Sequence, residues 1–344
     1  VNFLKKVNLA INSLLERNLN KLNFLFNPDK LLIFLSFKRI FGFLSILLVI
    51  IFSYLSLPYL YNTNNLINKI KRQLSENLNF IFTIDNDFTY NFFPKPNFTF
   101  KNSKFYNNGK TIADIERIKI YISPKNLFSL DNIKIDNVIL HKVNFDLNKT
   151  NYNFFIKLLD NNFANFDFEI NDSNIFYKNI ENDVLFINKI NQLKYYFDTK
   201  SQKNTLRANN EIFNIPYTIE LIDYINKKKI ISQVNFDFLS LKVINELNYK
   251  NSHKNGLIKL IHFKNISEGK YKIEKNFFNF NFFDSSNSNF EYKGTINFIP
   301  FFSELLGDIK EINLNKIFNS ESALVQLFKT ELLNNKNLNI DAAI

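Results

Sequence analysis

A chain of 344 residues, 46 % of them hydrophobic and 22 % charged, has apolar side chain enough to fold as one or two domains, and this excludes an intrinsically disordered protein. The absence of cysteine excludes disulfides, thiolate metal sites and thiol nucleophiles. A net charge of +11 attracts polyanions of any kind, so the placement of the charge says more than its sum, and the wealth of Asn and Lys matches the codon bias of an AT-rich genome.

Residues 1–39 carry Lys5, Lys6, Arg17, Lys21, Lys30, Lys38 and Arg39 against Glu16 and Asp29. Within them Leu4, Val7, Ile11, Leu14, Leu15, Leu19 and Leu22 recur at intervals of about three or four, which predicts an amphipathic helix over residues 3–26, lying on a membrane leaflet or against a partner. Residues 40–61, "IFGFLSILLVIIFSYLSLPYLY", hold no charge. About 20 residues rising about 1.5 Å each match the roughly 30 Å hydrocarbon core, so this segment predicts a transmembrane helix. A cleaved signal peptide would need a short basic start and small residues at its cleavage site, whereas a long basic segment precedes this span and bulky "SLPYLYN" stands at its end. The positive-inside rule then makes residues 1–39 a cytoplasmic leader and places residues 62–344 on the far side of the membrane.

After the span, "TNNLINKIKRQLSENLN" offers Thr63 or Asn64 as a cap and sets Leu66, Ile67, Ile70 and Leu74 on one face, which predicts a short helix. From Ile81 the period changes to two. "IKIYIS" from Ile118 breaks at Pro124 and resumes through Ile133, Ile135, Val138 and Leu140. The same alternation runs through residues 143–148, 165–171, 233–243, 276–283 and 295–298, with Asn and Asp clusters between them supplying turns. A helical insertion is expected near "IPFFSELLGDIKEINLNKIF" (299–318) and a further helix from Ser320. The closing "LNIDAAI" alternates without a turn, so the natural protein is expected to continue past Ile344. The fold class is mainly β: an elongated, largely antiparallel, curved sheet with one dry and one wet face, an N-terminal transmembrane helix and a few short helices.

Catalytic vocabulary is nearly absent. His141, His253 and His262 are the three histidines, each in a strand-like setting without a second ligand nearby. Asp85 and Asp87 in "IDNDF" resemble the start of a calcium loop, but the Gly and terminal Glu that should follow are missing. Asp114 and Glu116 fall on the polar side of a strand, where solvated carboxylates are the rule. No phosphate-binding loop, dinucleotide fingerprint or nucleophile elbow occurs. We therefore expect no catalytic residue, cofactor or metal, and no enzyme. Lysines and aromatics interleave in "NFTFKNSKFYNNGK", but alternation sets Phe98 and Phe100 on one face and the polar residues on the other, which argues against a nucleic-acid platform.

Residues 92–147 resemble the opening pattern of the AsmA family, with Pro94 and Pro96 before a strand, Ala113-Asp114 in the next, the segment Pro124 to Leu130 as a crossover, and strands closing the unit from Ile133 to Leu147. Residues 166–193, with Asp172-Ser173 followed by a hairpin, and "EYKGTINFIPF" from Glu291 are similar to later elements of that family. The resemblance implies a periplasmic β-groove domain over residues 62–344, held in the inner membrane of a Gram-negative bacterium and concerned with outer-membrane biogenesis and lipid movement. The partners it implies are phospholipid, the inner membrane and outer-membrane or periplasmic proteins. The candidate groove residues are Ile118, Ile120, Ile122, Ile133, Ile135, Phe145, Leu147, Phe166, Phe168 and Ile170. An alternative is a structural factor that recruits protein partners through its sheet edges.

Overall fold

The computed structural model describes residues 37–309, apart from 79–80, 84–87, 108–109, 126, 149–150, 152–166, 180, 250–253, 264, 275–276, 285–289 and 299–300, together with a few residues between 315 and 330. The leader helix, Asp85 and Asp87, His253, Phe166 and most of the helix expected from Ser320 lie outside the described residues. The chain divides into two units, residues 1–60 and 61–344.

In the first unit, helix α1 (Phe37–Leu55) is followed by a 3-10 turn at Leu57–Leu60. The helical geometry tightens there because Pro58 offers no amide hydrogen and disfavours the α conformation at Leu57. Phe41, Phe43, Ile46 and Val49 are exposed although apolar, as suits a helix whose surroundings are hydrocarbon rather than water. The hydroxyl of Ser45 donates to the Phe41 carbonyl at 2.8 Å and that of Ser56 to the Phe52 carbonyl at 2.7 Å, which satisfies both groups without water.

The second unit opens with helix α2 (Thr63–Leu78), capped by Asn62, whose Oδ1 accepts from the Asn65 amide at 3.2 Å. The cap is therefore neither Thr63 nor Asn64, as expected, but Asn62, whose side chain reaches the orphan amide three residues on. The strands follow: β1 (Ile81–Thr83), β2 (Phe88–Asn91), β3 (Asn97–Asn107), β4 (Lys110–Ile122), β5 (Ile135–Leu147), β6 (Asp167–Lys178), β7 (Val184–Asp198), β8 (Lys203–Ile212), β9 (Ile215–Tyr224), β10 (Lys229–Phe236), β11 (Leu241–Asn248), β12 (Lys254–His262), β13 (Asn265–Glu274), β14 (Phe277–Asp284), β15 (Phe290–Phe298) and β16 (Phe301–Ile309). They form one open sheet of 16 strands in which neighbours in sequence are neighbours in space from β3 to β16, while β1 and β2 both pair with β3. Every pairing is antiparallel except β5 with β6, which run parallel. The fold is thus mainly β, with one apolar N-terminal helix and few others, as the alternation predicts.

Two expectations need correction. The run 233–243 is two strands, because Asp237–Leu239 forms a 3-10 turn and Ser240 takes a left-handed φ of 48°, which reverses the chain. Residues 301–309 are strand β16 rather than a helical insertion, paired with β15 from Phe290 to Phe298, since ladder pairing outweighs a helix-compatible spacing.

The apolar side chains stay on one face by an unusual device. Asn102 in β3, Glu116 in β4, Lys142 in β5, Asp172 in β6 and Asn191 in β7 are stepped over by the register of their strands, and they line up across the sheet. Asn102, Lys142 and Asp172 have positive φ near 50°. Each slip lets buried residues recur three apart instead of two, as with Phe100 and Ser103, Ile115 and Ile118, Leu140 and Val143, and Ile170 and Ser173. The hydroxyl of Ser173 accepts from the Val143 amide at 2.9 Å and donates to the Asn171 carbonyl at 2.8 Å, so the crease leaves no orphan there.

Candidate functional site

At its start the apolar face is sealed. Phe98, Phe100, Ile118, Ile120, Val138 and Leu140 have no exposure, and Leu66, Ile67, Ile70 and Leu74 of α2 are at most 2 % exposed. The Gln73 side-chain amide donates to the Ile133 carbonyl at 2.7 Å, and the Tyr61 hydroxyl donates to the Leu127 carbonyl. Complete burial of both sets of side chains, with α2 and Tyr61 tied to the 123–134 segment between β4 and β5, leaves this part of the face closed.

Ile118, Ile120, Ile122, Ile133 and Ile135 belong to this sealed part. Phe145 and Ile170 are buried, while Leu147 and Phe168 are half-buried. The structure brings the strand members of this set to one face, and the first five are buried rather than on an open surface. Phe98 and Phe100 are buried likewise, out of reach of a nucleobase.

Beyond β6 the same face opens. Register pairs carry an unbroken apolar row across the strands: Leu140, Ile170, Leu193, Ala208, Ile219, Val234, Val243 and Leu260. From Ile170 in β6 to Leu260 in β12 this lane crosses six strand spacings, or about 29 Å. Leu193, Ile219, Val234, Val243 and Leu260 are half-buried, and no described helix or second sheet covers them. The periodic runs 165–171 and 233–243 contained Ile170, Val234 and Val243, whereas Leu193 and Ala208 join the lane only through cross-strand register.

Polar groups border the lane on both sides. Toward one strand end Tyr217 donates to Asn188 Oδ1 at 2.5 Å, beside buried Asn210. Toward the other, Tyr249 donates to Asp223 at 2.8 Å, Tyr271 to Asn245 at 2.6 Å, and Asn245 to Ser232 at 3.2 Å. Burial, and next the Asp223 charge, push the Tyr195 phenol up to about 12. Past β12 the floor becomes aromatic: Tyr271, Phe278, Phe280 and Phe282 follow one another with ring centroids 4.7 to 5.7 Å apart. Gly256, Gly269 and Gly294 sit directly beneath the rings of Tyr271, Phe282 and Phe280, where a Cβ would clash. The opposite face is wet, with cross-strand pairs such as Arg207 and Glu220 at 2.7 Å and Lys259 and Glu268 at 2.7 Å. Asp114 and Glu116 lie there too, paired with Lys104 at 3.3 Å and Lys142 at 3.1 Å around a shallow polar depression of about 600 Å³.

Charge divides between the two strand ends. The segments 92–96, 123–134, 199–202 and 225–228 join strands at one end and expose Lys95, Lys125, Lys134, Lys200, Lys227 and Lys228, with Asp131 as their one acid among the described residues. The segments 179–183, 213–214 and 237–240 join strands at the other end and expose Glu181, Asp183 and Asp237 with no lysine.

His141 lies on the wet face, where burial first, then Arg117 and Lys119, hold its pKa below the usual value. His262 is lowered by burial alone, and its Nε2 is buried without a hydrogen-bond partner among the described residues. Among the described residues no cluster of His, Cys, Asp or Glu could hold a metal ion.

The sequence pattern of the AsmA family matches residues 38–253. No curated protein matches the chain.

Proposed function

The chain belongs to the AsmA family, whose members are associated with membranes and serve outer-membrane and lipid-related biogenesis, and from this premise we propose that it binds phospholipid and conducts the acyl chains along the lane from Ile170 to Leu260. The observation that carries the reading is the lane itself: an apolar row about 29 Å long, half-buried, uncovered by any described helix or second sheet, and bordered by polar groups. Each CH₂ transferred from water to such a surface gains roughly 0.8 kcal/mol, so a chain of about 16 carbons gains on the order of 10 kcal/mol before ordering costs. Similar side chains at successive strands offer a sliding chain no deep trap. The lysine-bearing strand end suits phosphate head groups, which stay in water while the tails lie on the sheet.

The apolar helix fits an inner-membrane anchor. In our reading residues 1–39 are cytoplasmic and residues 62–344 periplasmic, because the basic residues precede the span. The family is not known for enzymatic activity, and the reading asks for no covalent chemistry.

Photoreactive amino acids at Val234, Val243 and Leu260 of the membrane-held chain test the proposal, with Gln233 on the wet face as reference. Lipid adducts found by mass spectrometry at the three lane positions and not at Gln233 are expected. No adduct at the lane, with protein captured instead from the edge strand β16 at Leu305, would replace the proposal with the assembly-factor alternative.

A further inference from the structure

We propose that the two loops at the start of the sheet, residues 92–96 and 123–134, form a docking surface for the phospholipid bilayer that holds the span, taking anionic head groups. This rests on residues 40–60 crossing a membrane and not on lipid moving along the lane.

Phe93 and Phe128 are each 81 % exposed, more than any other large apolar side chain described in the sheet unit. Aromatic rings held out in this way are poorly placed in water and well placed at the depth of lipid head groups, where aromatic side chains concentrate in membrane proteins. The two rings belong to neighbouring loops. Both loops lie at the same strand end, and the Ile122 amide, at the close of β4, donates to the Pro96 carbonyl at 3.0 Å. Lys95 and Lys125 stand exposed within two and three residues of the rings, which gives the surface the amphipathic, basic character that anionic lipid attracts.

Chain connectivity brings the same surface to a membrane. The span ends at Leu60, and the next residue, Tyr61, donates its hydroxyl to the carbonyl of Leu127, the neighbour of Phe128. The residue bonded to the loop therefore follows the end of the span directly.

These 344 residues hold no cysteine, so Phe93→Cys and Phe128→Cys each give a single site for an environment-sensitive fluorophore. The full chain is reconstituted into vesicles of phosphatidylethanolamine and phosphatidylglycerol. We expect blue-shifted emission and quenching by nitroxide-bearing lipid at both sites, and neither at Phe238→Cys, an exposed ring in the β10–β11 turn at the opposite strand end. Adding Lys95→Glu and Lys125→Glu should reduce the quenching in these vesicles and leave it unchanged in phosphatidylcholine vesicles. Solvent-like emission at Phe93 and Phe128, matching that at Phe238, overturns the proposal, and quenching that ignores the charge reversal overturns its anionic part. Lipid capture at Val234, Val243 and Leu260 is read separately, so docking with an empty lane, or a filled lane without docking, distinguishes failure of either idea.

Discussion

Gly256→Ala tests the aromatic floor most directly. A Cβ at this position would overlap Cζ, Cε1 and Oη of Tyr271, its cross-strand neighbour, so the ring must leave its place on the sheet. Overpacking of this kind costs about 1–3 kcal/mol. Tyr271 also loses its 2.6 Å hydrogen bond to Asn245, worth about 1 kcal/mol. The reduced freedom of the unfolded chain returns up to about 1 kcal/mol, which leaves a net loss of about 2 kcal/mol. Because an open sheet need not unfold in one step, the suitable assay is native-state hydrogen exchange of the β12 and β13 amides. The expected change is exchange about 30-fold faster in those strands, since each 1.4 kcal/mol is a factor of ten. In a Tyr271→Ala background the same substitution should cost nothing, because no ring remains to displace. Equal costs in both backgrounds would refute the reasoning, as would unchanged exchange in the single variant.

Three further outcomes are expected. Leu74→Ala, which empties a fully buried site beneath α2, should cost about 2–5 kcal/mol in the local stability of β3–β5, and Gln73→Ala, which removes the bond to the Ile133 carbonyl, about 1 kcal/mol, both read by hydrogen exchange of those strands. Ser173→Ala leaves the Val143 amide without its partner in the crease and should cost about 1–3 kcal/mol, read from exchange at β5 and β6. His141 and His262 have folded pKa values below their unfolded value of about 6.5, so the unfolded chain binds more protons. Their contribution is present above the unfolded pKa and is lost as pH falls through it toward the folded value. Denaturation midpoints should therefore fall on acidification below about pH 6.5, less so in His262→Phe.

Sequence alone was enough to place the uncharged run from Ile40, the amphipathic stripe of Leu66, Ile67, Ile70 and Leu74, and a β class from alternation, because each is a local periodicity that burial rewards wherever the segment packs. It also carried the family resemblance, through the prolines before β3 and the hairpin after Asp172-Ser173. The site was legible only in part. Ile118, Ile120 and Ile122 alternate as a groove wall would, but alternation reports that a face is dry, not whether a helix or a lipid keeps it dry.

That distinction is tertiary: the face is fully buried across β3, β4 and most of β5, and half-buried beyond β6. Tertiary register also decided which residues share the lane. Three-residue spacings such as Leu140 to Val143 would set a regular strand's side chains on opposite faces, and only the aligned slips at Asn102, Glu116, Lys142, Asp172 and Asn191 return them to one. A strand's own sequence cannot show this, because a bulge takes its meaning from the strand beside it. The sorting of lysines to one strand end has the same origin, since turns far apart in sequence become neighbours only when every second turn is folded to the same side.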